Sequence, residues 1–353
     1  MVHIIWEHKS NFTENLEGLQ LKLKGRFTRV NSLCNINKKV EGTWLNKLFW
    51  GDNKEVLLYL LNNFEEKIDL IYVDPPFFSG TNYKIEVEGL DELYYDTAYL
   101  DHWEKDLDSY LQMLYERIIL FQKLLSDKGL LFIHLDWHAS HYIRLILDEV
   151  FGQNRFVNNI IWYYYNKYSA GKKNLPRAHD DIIVYSKTEN YTFNELRIPR
   201  KTPGKQLKRE MVNGILKNVK DDNGHVVYRI VTDKKLDDVW KIPCMQPASK
   251  EWTGYPTQKH HDLLERIIRL GSNEGDLVAD FFCGSGTTLL AAEKLNRKWI
   301  GCDLSEYSIY LTLKRIKEIS SQSYEMLTFL TEKRKMLIES GFFQKKLKVK
   351  RKK

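Results

Sequence analysis

Cysteine is scarce in this chain, with 4 in 353 residues: Cys34, Cys244, Cys283 and Cys302. No two of them stand in CxxC spacing, and no histidine–cysteine cluster suggests zinc. A disulfide framework and a structural zinc site are therefore both excluded, and four reduced, partly buried thiols are expected. Long apolar runs are missing as well. None approaches the roughly 18 residues needed to cross a bilayer, so no membrane partner is expected. The opening MVHIIWEHKSNF lacks the basic-then-apolar pattern of a signal peptide, and a cytoplasmic location is expected. The phosphate-binding pattern GxxxxGK[ST] does not occur, which excludes a P-loop. There is no internal repeat.

What is present is a soluble-type composition with 43% hydrophobic and 29% charged residues. A net charge of +7 fits a nucleic-acid partner without proving one. Apolar segments alternate between strand and helix patterns. LFWGD, KIDLIYVD and LLFIHLD read as buried strands, and LDSYLQMLYERIILFQKLL as an amphipathic helix stopped by Gly129 as its left-handed terminal residue. Such alternation predicts an α/β fold, a mostly parallel sheet with helices on both faces. The pattern divides the chain into an irregular arm (1–43), a first half of the main domain (44–187), a polar insertion (188–239), a second half (240–320), and a final helix with a basic tail (321–353). Residues 78–99 read as a polar, tyrosine-rich loop.

Prolines are few, 8 in all, yet two are adjacent in YVDPPFFSG, residues 72–80. Proline lacks the donor that a sheet ladder needs, so the strand must stop there. A carboxylate (Asp74), two stiff residues (Pro75, Pro76) and an aromatic face (Phe77) follow in sequence. A second motif, DFFCGSGTT, residues 280–288, joins a strand to a helix. Gly284 and Gly286 allow a tight turn and close approach of a ligand. The third glycine of GxGxxG is replaced by Leu289, which argues against nicotinamide cofactors. The next strand ends in Asp303, placed to accept hydrogen bonds from ribose hydroxyls, with Ser305 competing as helix cap.

DPPF and DFFCGSGTT together resemble the S-adenosylmethionine-dependent amino-methyltransferases of DNA. FWGDNKEVLLYL, HDDIIVYSK and VWKIPCMQPASKEWTGYPTQKHHDLLERII extend the resemblance over roughly residues 48–316. DPPF precedes the glycine motif with the insertion between them, the circularly permuted order of the β class. One departure is His260, where the family usually has proline after TQK.

The resemblance implies a Rossmann-like class I methyltransferase with a mostly parallel seven-stranded sheet and a target-recognition insertion. It implies transfer of a methyl group to the N6 amine of an adenine flipped out of double-stranded DNA. Asp74, Pro75, Pro76 and Phe77 would be the catalytic set. Hydrogen bonds from the amine to the Asp74 carboxylate and the Pro75 carbonyl would free its conjugated lone pair, and Phe77 would stack on the base. Asp52, Lys259, Asp280, Phe281, Cys283, Gly284, Gly286, Thr287 and Asp303 would hold the cofactor. Within this set Asp52 would reach the adenine amine, Lys259 the methionine carboxylate and Asp303 the ribose. Thr287 and Thr288 are expected to cap the following helix. No metal is expected. Cytosine N4 remains an alternative target, an RNA or a protein amide a rival substrate, and a silent DNA-binding subunit a rival function. Pro243-Cys244 also suggests a C5-cytosine nucleophile, but the motif order is wrong for that class. A homodimer and a separate restriction endonuclease are partners that the resemblance leaves open. In the insertion, Lys201, Lys205, Lys208, Arg209, Lys217 and Lys220 suit phosphate contact. The basic, aromatic loop YYYNKYSAGKKNLPRAH and the basic tail are further candidates for contact with DNA.

Overall fold

The computed structural model describes residues 44–78, 82–88, 94–100, 107–167, 173–320, 324–329 and 331–340, with short stretches near both ends. The arm is otherwise outside the described residues, as are Cys34, residues 168–172 of the basic loop and most of the tail.

A ten-stranded sheet forms the centre of the larger unit. Its strands in chain order are β1 (Phe27–Arg29), β2 (Asn46–Trp50), β3 (Ile68–Val73), β6 (Leu125–Leu135), β7 (Phe156–Tyr163), β8 (His179–Ser186), β13 (Val239–Lys241), β14 (Leu277–Asp280), β15 (Lys298–Asp303) and β16 (Tyr324–Phe329). A small separate sheet holds β4 (Asn82–Glu88), β5 (Tyr94–Leu100) and β17 (Lys348–Val349). The insertion holds β9 (Arg197–Leu207), β10 (Arg209–Val212), β11 (Ile215–Asn218) and β12 (Tyr228–Lys235).

The central order is β1-β16-β2-β15-β14-β3-β6-β8-β7-β13. From β16 to β6 all pairings are parallel, while β8 runs antiparallel between β6 and β7. Alternation along the strands assigns the two faces. Ile71, Val73, Leu131 and Ile133 share a buried cluster with residues of the helices Asn53–Phe64, Leu107–Leu124 and Ser140–Phe151. Leu70 and Phe132 point the other way, against Gly271 of the helix His261–Gly271. There a Cβ on Gly271 would lie 2.9 Å from both side chains, so the glycine allows helix and sheet to touch.

Several expectations are corrected. The sheet has ten strands rather than seven, because both ends of the chain add a strand to one edge and β13 adds one to the other. β1 comes from the arm, and β16 comes from the segment read as helix and tail. The helix Glu332–Glu339 does follow. The tyrosine-rich loop contains the hairpin β4–β5. Gly129 is not a helix cap but lies within β6, where a Cβ would come within 2.9 Å of the Ile68 carbonyl. The insertion separates as a compact unit over Asn194–Asp238 rather than 188–239. Residues 188–193 stay with the body, since Thr192 N–H bonds to the Lys128 carbonyl at 2.9 Å, and Val239 opens β13.

Candidate active site

Four neighbouring parallel strands, β2, β15, β14 and β3, each end in an aspartate at or just past the carboxyl edge: Asp52, Asp303, Asp280 and Asp74. Strand ends at that edge are where open α/β sheets bind ligands. The four line one cavity of about 510 Å³, well inside the size range of small-molecule sites. Of the thirteen residues singled out from the sequence, twelve line it: Asp52, Asp74, Pro75, Pro76, Phe77, Lys259, Asp280, Phe281, Cys283, Gly284, Thr287 and Asp303. The exception is Gly286. It sits at φ 77°, and a Cβ there would meet Thr312 Oγ1 at 2.6 Å, so its role is to let the turn pack on the helix Glu306–Ile319.

The glycine turn is clamped by Asp303. One carboxylate oxygen accepts from Gly284 N–H at 2.8 Å and the other from Ser305 N–H at 2.9 Å. Ser305, not Asp303, caps the helix that follows. The expected threonine caps are absent. Gly286 occupies the cap position of Thr287–Lys294 without a side-chain bond, and the Thr288 hydroxyl donates instead to buried Asp280. Asp280 also accepts from Phe282 N–H at 3.0 Å. Burial, helped by the charges of Asp74 and Asp303, outweighs these bonds and pushes its carboxyl up to about 7. Asp52 caps Asn53–Phe64 by accepting from Lys54 N–H at 2.8 Å, and the buried Arg117 guanidinium stands 3.6 Å from it.

At the other end of the cavity, the Tyr110 hydroxyl donates to the Pro76 carbonyl at 2.8 Å and fixes the double-proline segment. Phe78 has φ 60°, a strained value for a bulky residue, directly after the motif. The Phe77 ring lies 5.7 Å from His134 and 5.4 Å from the Lys259 ammonium. Lys259 is ion-paired with Asp74 through Oδ2. The sequence reading sent this lysine to a cofactor carboxylate, whereas the structure seats it on Asp74. Oδ1 of Asp74 is buried and has no hydrogen-bond partner. A carboxylate at a cavity wall with one oxygen lacking a partner keeps accepting capacity for an incoming N–H. His260 caps the helix His261–Gly271 by accepting from Asp262 N–H at 3.3 Å, so the departure from proline is accommodated locally.

Sequence reasoning missed Arg117, Tyr72, His134 and Asp180. Arg117 and His134 have a visible signal, a charged or polar residue inside an otherwise apolar helix face or strand, whereas Asp180 lies in the polar start HDD of β8 and has none. Cys244 lies outside the cavity lining, with its thiol against Asn166 and Gln246.

With this geometry in hand, the likeness to known proteins is specific. A family model described as DNA methylase matches residues 68–314. The chain is 31% identical to the type II methyltransferase M.BamHI of Bacillus amyloliquefaciens, over 85% of this chain and 64% of that protein. It is 30% identical to the DNA adenine methyltransferase YhdJ of Escherichia coli K12, over 74% of this chain and 80% of that one. Two solved structures share the fold. The cytosine-N4-specific PvuII DNA methyltransferase has TM-score 0.51 at 18% identity, covering 86% of this chain and 95% of that one. TTHA0409 of Thermus thermophilus, complexed with S-adenosyl-L-methionine, has TM-score 0.50 at 22% identity, covering 82% and 100%. The DPPF strand end, the glycine turn and the family match across more than half of its length agree: this chain belongs to the DNA methylase family.

Proposed function

We propose that this chain transfers a methyl group from S-adenosylmethionine to the N6 amine of an adenine extruded from duplex DNA, within a restriction-modification setting. The observation that carries the reading is the place of Asp74: it lines the cavity, its Oδ2 is held by Lys259, and its buried Oδ1 has no hydrogen-bond partner. An exocyclic amine is a poor nucleophile because its lone pair is conjugated into the ring. Accepting its N–H at the Asp74 carboxylate, and at the Pro75 carbonyl, favours a pyramidal nitrogen. Both acceptors are preorganised, one by Lys259 and the other by the proline rings and the Tyr110 bond to the next carbonyl. Phe77 offers a face for the flipped base, and such stacking is typically worth about 1–3 kcal/mol.

The cavity's own chemistry suits this cofactor. Asp303 and the Gly284 turn would hold the ribose, and Asp52, Phe281 and Cys283 would line the nucleoside side. The aspartates outnumber the cations Arg117 and Lys259 around the cavity, which favours a positively charged ligand. Bound there, the cofactor supplies an electrophilic methyl group on a sulfonium. The protein's task is then alignment and exclusion of water. The aspartate ahead of PP, with phenylalanine after it, supports adenine over cytosine.

The test uses methyl-labelled S-adenosylmethionine and unmethylated bacterial duplex DNA, digested to nucleosides, with Asp74→Ala alongside. Labelled N6-methyladenine that disappears in the variant is the expected result. N4-methylcytosine would keep the chemistry and overturn the base. No label, with cofactor binding intact, would move the substrate to RNA or protein.

A further inference from the structure

Methyl transfer leaves one proton to be removed from the amine, and the site described above does not say where it goes. Behind Asp74 lies a buried group with no assigned task. His134 interrupts β6, whose other residues from Leu130 to Leu135 are all apolar, and it is fully buried. Its Nδ1 lies 2.9 Å from the Tyr72 hydroxyl and 3.7 Å from Asp74 Oδ1. Its Nε2 lies 3.3 Å from Asp180 Oδ2, and the other Asp180 oxygen accepts from the Tyr164 hydroxyl at 3.1 Å.

Burial alone would raise the Asp180 carboxyl. The hydrogen bond and charge of His134, with Lys259 and Tyr164, bring it below the ordinary carboxylate range. An ionised carboxylate only accepts, so Nε2 carries the hydrogen and Nδ1 turns its lone pair toward Tyr72 and Asp74. Burial pushes both tyrosine hydroxyls up, which keeps them neutral. The titratable groups facing the imidazole are Tyr72 and Asp74 from the end of β3, Asp180 from β8, Tyr164 beyond β7 and Lys259 ahead of His261–Gly271. Asp136, past the end of β6, acts at longer range on Asp180.

Charge decides what this arrangement does. With His134 neutral, the single ammonium of Lys259 stands against the two carboxylates Asp74 and Asp180. The cofactor brings in one positive charge and departs as a neutral thioether. We propose that His134 takes up the proton released by the amine, through Asp74, and so restores the lost positive charge. The nitrogen–carbon bond forms from the amine lone pair, and the sulfur–carbon pair returns to sulfur. The N–H bonding pair then stays on nitrogen while the proton passes to the Asp74 carboxylate and on to His134 Nδ1, as the Tyr72 hydroxyl turns its hydrogen away and its oxygen becomes the acceptor of the new N–H. The imidazolium is held between the carboxylates of Asp74 and Asp180. His134 is thus a positioning residue that acts through Asp74. The inference rests on the methyltransferase reading.

Its test separates the two. Calorimetric titration of S-adenosylmethionine and of S-adenosylhomocysteine at pH 7, each in phosphate and in Tris, reads proton uptake without turnover. The neutral product should take up several tenths of a proton more than the charged cofactor. That excess should vanish in His134→Gln and survive in Asp280→Asn, which removes the cavity carboxyl that burial pushes up to about 7. No excess in the wild-type chain, or an excess that persists in His134→Gln, overturns the proposal. In single-turnover methylation His134→Gln should be at least tenfold slower with KM for DNA within twofold, and imidazole should partly restore His134→Ala. A His134→Gln rate within twofold of wild type also overturns it. Should His134→Gln fail to fold, Asp180→Asn takes its place, and an undiminished excess there counts against the proposal. A wild-type chain that shows the excess but labels no DNA sinks the methyltransferase reading alone.

Discussion

The body and the insertion handle charge in opposite ways. In the body, Asp280 and Lys259 are buried and Asp74 and Asp180 largely so, each with a named partner: Lys259 with Asp74, His134 with Asp180, Thr288 with Asp280. Between Asn194 and Asp238 no residue is buried. That stretch carries eleven Lys and Arg against seven Asp and Glu, a net charge of +4 in 45 residues. Its ion pairs, such as Arg197 with Asp233 at 2.9 Å, are exposed to solvent. Burial strengthens electrostatics and fixes geometry, which transition-state stabilisation requires. Solvated cations release counterions on meeting phosphate, which gives affinity without fixed geometry. The insertion consequently needs no core, only two antiparallel strand pairs, β9–β12 and β10–β11, that hold its charges apart.

The comparison breaks most sharply at Asp74. Asp74→Asn should lower single-turnover methylation roughly 10³-fold, the scale of losing a preorganised electrostatic contact, while DNA affinity changes less than threefold in a gel-shift titration. The converse variant neutralises Lys201, Lys205, Lys208 and Arg209 with glutamine. DNA affinity should fall about 100-fold at moderate salt and the slope of log K on log[salt] should flatten by up to ~4 units, with cofactor binding unchanged. An unchanged slope would remove the insertion from the DNA interface.

Smaller effects sharpen the contrast on the body's side. Gly286→Ala should destabilise the fold by about 2–4 kcal/mol in urea unfolding, because the left-handed backbone and the contact with Thr312 both penalise a Cβ. Asp280→Asn tests burial directly. Its folded-state carboxyl stands at about 7, above the unfolded value, so ionisation destabilises the fold. That penalty is absent below about pH 4, grows as pH rises toward 7 and is constant beyond. The stability of Asp280→Asn relative to wild type should therefore rise by on the order of 4 kcal/mol between pH 4 and 8. A flat difference would mean that Asp280 is not desolvated.

Strand and helix order, the two motifs and the place of the insertion were legible because buried parallel strands, amphipathic helices and glycine turns leave local signatures. Asp74, Gly284 and Asp303 stood out for the same reason. The strands β1 and β16 did not: β1 is only three residues long, and β16, though buried between β1 and β2, has its apolar run broken by Glu325 and Thr328. Gly129 was misread because a glycine after a helix pattern serves equally as a cap or as a strand position pressed against a neighbouring carbonyl.

By itself the sequence determined the α/β class, the permuted motif order and the aspartate that ends β3, because each depends on residues close together along the chain. Only the tertiary structure decided that four aspartates stand side by side, that Lys259 pairs with Asp74 across 185 positions, and that His134 and Asp180 meet behind it. Those contacts come from the lateral order of strands, and lateral order is set by packing of whole elements rather than by any local pattern.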